Sequence, residues 1–106
     1  MAEPVVLDAS AVLALLRDEP SAARVAELIP TASISAVNLA EVLIVLERRG
    51  VPAADARRAV DSLALDVLPA DTATAHAAAG IAAANPRRSL SLGDCFCLAT
   101  AYLTGR

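Results

Sequence analysis

Lysine is missing altogether: all nine basic residues among the 106 are arginine. A GC-rich genome produces such a bias, and guanidinium groups also suit phosphate. Aromatics are nearly absent, with one Phe, one Tyr and no Trp, although 57% of the residues are hydrophobic. Any core must therefore be built from Ala, Val, Leu and Ile, and a chain of this length can bury one such core but not two. Long apolar runs are lacking too, and none approaches the roughly 18 to 20 residues of a membrane span. Met1-Ala2-Glu3-Pro4 carries no basic stretch leading into an apolar one, which argues against a secretory leader. The expectation is one cytoplasmic domain with no membrane attachment.

Cysteine is scarce, with Cys95 and Cys97 alone. On a helix, residues two apart point about 200° from each other, so this pair can share neither a metal nor a disulfide there. As small apolar core residues in a reducing compartment they need no other role. A basic excess is also absent, since the formal net charge is −3. That excludes a protein that coats nucleic acid through a broad basic face. It leaves open an enzyme that meets phosphate through metal ions, because there the acids are the binding site.

What is present alternates. Pro4-Val5-Val6-Leu7-Asp8 reads as a short buried strand, with Ser10 capping a helix through Leu16. A second helix is expected from Ala22 to Ile29, ended by Pro30, and a second strand over Thr31 to Ser35. Ala36 to Arg49 is a helix apolar on most sides, hence central or in an interface, closed by Arg48-Arg49-Gly50. Pro52 opens a helix to about Leu65, and Asp66 to Pro69 is a third strand. Asp71 or Thr72 caps an alanine-rich helix to Ala84. Ser91 starts the last helix, Leu92 to Leu103. Alternating strands and longer helices predict an α/β domain with a parallel sheet covered on both faces.

Attention then falls on the acids. Asp8 stands where the first strand ends, and in open α/β sheets ligands bind at the carboxyl ends of strands. It can equally cap the helix that follows. Glu41 lies in the apolar helix, one turn after Asn38, where a solvated face is hard to find. Burial of a Glu is costly unless it is paired or metal-bound; a position at the solvent edge is the alternative. Asp94 belongs to a Ser-x-x-Asp capping pattern beginning at Ser91. A cap held rigidly in a first helical turn also suits a ligand, so the two roles are compatible. His76 is expected on the surface, Asp71 is an N-cap before it is a ligand, and Arg87-Arg88 is a solvated basic turn.

None of these signals is specific alone. Together, Val5 to Ala11, Ser35 to Val42 and Ser89 to Ala99 resemble, in order and spacing, the three leading acidic motifs of PIN domains. The wording is closest to the VapC toxins of bacterial type II toxin–antitoxin pairs. The resemblance spans residues 1–106 and implies a PIN-like (Rossmann-like) three-layer α/β/α sandwich with a short parallel sheet. It implies a carboxylate cluster of Asp8, Glu41 and Asp94 binding Mg²⁺ or Mn²⁺, with Ser10 and Asn38 behind it. It further implies Mg²⁺-dependent endonucleolytic cleavage of RNA by a toxin that a cognate antitoxin protein restrains. The three carboxyl groups should then lie near enough to share one ion.

The sequence departs from the family's pattern at its far end. Members continue past the helix of Asp94 into further strands and a fourth acid, whereas this sequence stops at Thr104-Gly105-Arg106. That predicts a domain lacking the last strands, with one edge of Val5-Val6-Leu7 bare and open to association, as in a homodimer. Two other functions compete with the nuclease. One is a catalytically impaired PIN remnant that only binds an antitoxin or other protein. The other is a phosphatase or dehalogenase with Asp8 as nucleophile, disfavoured because Ser10 stands where the phosphatase pattern has a second Asp.

Overall fold

The computed structural model describes residues 3–106. Met1 and Ala2, on which part of the expectation about a leader rests, lie outside them. The elements follow in the order β1 (Val5–Leu7), α1 (Ala9–Leu16), α2 (Ala22–Leu28), β2 (Ala32–Ser35), α3 (Ala36–Arg48), α4 (Ala53–Asp61), β3 (Asp66–Leu68), α5 (Thr72–Ala84) and α6 (Leu92–Thr104). The strands form one parallel sheet in the order β1-β2-β3. Val5, Val6 and Leu7 face Ala32, Ser33 and Ile34, and Ser33, Ile34 and Ser35 face Asp66, Val67 and Leu68. Among the described residues, the outer side of β1 has no strand beside it.

All four residues of β2 are buried, so both faces of the sheet are covered at its centre. Side chains alternate along a strand, which divides the four. Ala32 and Ile34 join Leu7, Val12, Val25, Val42, Leu46, Ala56 and Val60 in the main aliphatic core. Ser33 and Ser35 face the other way; α6 lies against β1 and β2, and the Arg106 guanidinium after it reaches the Ser33 hydroxyl. Ala78, Cys95 and Ala99 form a second, smaller cluster between α5 and α6. Ile34, Val12 and Val42 are fully buried, each worth about 1.5–3 kcal/mol of burial. Helix α3 is central, touching α1, α4, α6, β2 and β3. No helix is long and apolar enough to cross a membrane among the described residues.

Local signals mostly decide the boundaries. Pro30 has no N–H to continue α2, so the helix gives way at Leu28 to a 3₁₀ turn, Ile29–Thr31. Helix α4 stops at Asp61, short of the expected Leu65. Leu63 and Leu65 both pack on the main core, and residues two apart cannot share one helix face. The chain turns there instead, with Ala64 at φ 51°. Asp8, and not Ser10, caps α1: the strand ends at Leu7, so the next residue that can accept from the exposed N–H groups is the acid.

Candidate functional site

β1 and β2 lead directly into α1 and α3, which bring Asp8 and Glu41, while Asp94 comes from the first turn of α6, a helix that follows α5. Asp8 follows β1 in an extended conformation and its Oδ1 accepts from the Ala11 N–H at 2.9 Å. At the end of β2, the Ser35 hydroxyl accepts from the Val37 N–H at 3.2 Å and starts α3. One turn on, Asn38 is buried, and its Nδ2 donates to Glu41 Oε1 at 2.9 Å and to the Gly93 carbonyl at 3.1 Å. The second bond joins α3 to the first turn of α6.

That first turn carries Asp94 in a capping box. Ser91 N–H donates to Asp94 Oδ2 at 3.0 Å, and Asp94 N–H donates to Ser91 Oγ at 3.0 Å. Asp8 and Asp94 line one cavity of about 170 Å³, with Leu90, Cys97 and Leu98 as its other walls. Glu41 does not line that cavity but lies against Gly93: a Cβ built on that glycine would stand 2.6 Å from Glu41 Cδ and 2.7 Å from Oε2. Two larger cavities, about 280 and 310 Å³, border α5 and α6, and a third of about 260 Å³ lies between Pro30, Asp66 and Arg106; none holds any of these three acids.

One thiol lies within range of all three acids' charge. Burial pushes the Cys97 thiol up to about 11, and the charges of Asp8, Asp94 and Glu41 add to the rise. A thiolate there would face all three negative charges at once. Each carboxylate commits one oxygen to the protein: Asp8 Oδ1 to its cap, Glu41 Oε1 to Asn38, and Asp94 Oδ2 to Ser91. Among the described residues the second oxygen of each accepts no protein hydrogen bond. As the side chains stand, however, no three His, Cys, Asp or Glu among the described residues form a group that could hold a metal ion.

The remaining candidates separate cleanly. Ser10 is exposed on the first turn of α1 and does not line the cavity. Asp71 caps α5, accepting from the Thr74 N–H at 3.0 Å and the Thr74 hydroxyl at 2.8 Å. His76, Arg87 and Arg88 are exposed. Cys95 and Cys97 are both free, Cys95 buried in the small cluster as expected. Cys97 is a wall of the acid-lined cavity, not a core residue. Neither it nor Gly93 stands out in the sequence as part of a site. A signal for Gly93 did exist, since a glycine inside a helical turn is unfavourable without a reason of space or backbone.

In open α/β sheets ligands bind at the carboxyl ends of the parallel strands, where Asp8 stands. The PIN-domain family model matches residues 5–106, and the chain belongs to that family, whose members are generally nucleases. No curated protein matches the chain. Among solved structures it is similar to a chain of a toxin–antitoxin complex from Klebsiella pneumoniae, with a TM-score of 0.73 and 19% identity. That match covers 95% of this chain and 80% of the other.

Proposed function

We propose that the chain is a divalent-metal-dependent endoribonuclease, the toxin of a bacterial toxin–antitoxin pair. The observation that carries this reading is the meeting of Asp8 and Asp94 in one cavity, with Glu41 held against the residue before Asp94, in a PIN-domain chain. The donor chemistry fits Mg²⁺ or Mn²⁺: the available atoms are hard carboxylate oxygens, and Mg²⁺ needs only one or two carboxylates with water completing its shell. Asp8 and Asp94 would hold the ion, and Glu41 would join them directly or through water. A divalent ion in such a site activates water and stabilises charge on the leaving oxygen of a phosphodiester. The protein's own part is to fix those oxygens. The other oxygen of Asp8 and of Asp94 belongs to a helix cap and that of Glu41 accepts from Asn38, which orients the free ones.

The antitoxin enters through the K. pneumoniae neighbour, whose description names a toxin–antitoxin complex. Exposed Leu92, Leu98, Tyr102 and Leu103 on α6, together with the open side of β1, support a protein partner or a second copy. A second reading, a PIN protein that only binds a partner, is favoured by one observation: no three ligands converge among the described residues.

Cleavage of structured RNAs by the purified chain, in Mg²⁺ and in EDTA, separates the two. We expect cleavage in Mg²⁺ alone, lost in Asp94→Asn. That loss should exceed the roughly 10- to 100-fold that removal of an outer-shell partner causes. RNA left intact in Mg²⁺ by a folded chain would overturn the nuclease reading and leave the binding protein.

A further inference from the structure

Gly93 is the glycine whose missing side chain has an occupant. At Gly50, Gly80 and Gly105 a Cβ would meet nothing within 4 Å. Gly50 and Gly105 have their own reason to be glycine, at φ 94° and 71°. Gly93 lies at the second position of α6, outside the left-handed region, where alanine is the better helix former. The space that its Cβ would fill is taken by the carboxylate of Glu41.

We propose that Gly93 is a positioning residue of the candidate site. Its bare Cα is the seat in which the Glu41 carboxylate rests, beside Asp94, with Asn38 as the clamp. The inference deepens the nuclease reading and rests on it for its consequence, though not for its geometry. The amide of Asn38 can serve only one way round. Its NH₂ faces two acceptors, Glu41 Oε1 and the Gly93 carbonyl; turned over, an oxygen would confront both. The price of this arrangement is visible in Asn38 Oδ1, which is buried with no partner among the described residues. Two α3 side chains and one α6 backbone position thus form a single unit, and the unit sets the distance from Glu41 to Asp94.

Adding a methyl group at position 93 meets the far end of a flexible side chain, not backbone. Gly93→Ala should therefore leave the fold standing and push Glu41 off its seat, with Asn38 losing one acceptor. The test uses the whole chain without metal first. In ¹⁵N NMR spectra the Asn38 side-chain NH₂ pair should be protected from exchange in the wild type. It should move and exchange faster in Gly93→Ala, much as in Glu41→Ala. The double variant Glu41→Ala with Gly93→Ala should look like Glu41→Ala alone. Mn²⁺ affinity, read from the free-ion EPR signal, should fall about 10- to 100-fold in Gly93→Ala while the thermal midpoint holds or rises. Shortening the acid in the pair Glu41→Asp with Gly93→Ala should recover part of that affinity. An unmoved Asn38 pair in Gly93→Ala overturns the proposal. So does a double variant, relieved of the carboxylate, that still fails to fold, since something other than Glu41 would then crowd position 93. A wild type that binds no Mn²⁺ sinks the metal reading, and the Asn38 signals still decide the seat.

Discussion

The two faces of the sheet are built from different materials. On one, Leu7, Val12, Val25, Ile34, Val42, Leu46 and Val60 close a continuous aliphatic core with the first four helices. On the other, α5 and α6 meet through Ala78, Ala99 and Cys95, with Phe96 and Ile81 at the margin, and Ser33 and Ser35 lie beneath. The first face buries branched side chains whose transfer from water dominates stability. The second is close helix packing with little side-chain volume. The candidate site straddles them: Asp8 and Glu41 belong to α1 and α3 on the aliphatic side, while Asp94 rides on α6. The precision of the site therefore depends on how well a thin layer docks on a thick one, and the Asn38 to Gly93 bond crosses that join.

The largest effect that could break this contrast is on stability. Ile34→Ala should cost about 2–5 kcal/mol in urea unfolding, whereas Ala99→Gly, equally buried, should cost about 1 kcal/mol, mainly helix propensity. Equal losses would mean that the alanine layer bears as much of the fold as the aliphatic one. Next in size is a chemical probe of the join. With its thiol raised from 9.0 to about 11, Cys97 has about a hundredfold less thiolate near neutral pH than an unperturbed cysteine. Its alkylation at pH 8 should be correspondingly slow, and faster in Asp8→Asn or Asp94→Asn. A rate indifferent to both variants would put the two acids out of reach of the Cys97 thiol. The smallest effect concerns the outer helix. Hydrogen bonds from the Thr74 N–H and hydroxyl hold the Asp71 carboxyl below its ordinary 3.8. A carboxyl lowered by folding stabilises the native state above its unfolded value, and that contribution disappears as pH falls through the folded one. The stability gap between wild type and Asp71→Asn should thus be constant above about pH 4 and shrink on further acidification. A gap that widened in acid would reverse the sign.

Much of the fold was legible because it depends on neighbours along the chain. Alternation of apolar runs and caps marks the strands and helices, and Ser91 with Asp94 announces its capping box within four residues. The exchange of Ser10 for Asp8 as the cap of α1 shows the limit. Both residues can cap, and the choice is made by where pairing with β2 ends the strand. Leu63 and Leu65 fit a helical pattern on paper, yet both are drawn to the same core and unwind the end of α4. The placement of Asp8 at the end of β1 was readable from the short apolar run that precedes it. The seat under Glu41 and the presence of Cys97 in the cavity wall were not, since each is defined by segments more than 50 residues apart, as the separation of 55 between Asn38 and Gly93 makes plain.

That separation also has a consequence in time. A ribosome makes the chain from its N-terminus, and domains fold as they emerge. A nascent stretch through α4 already contains Asp8 and Glu41 and most of the aliphatic core. It has neither Gly93 to receive Glu41 nor Asp94 to face Asp8. The acid constellation is therefore absent from every growing chain until α6 has left the ribosome and docked.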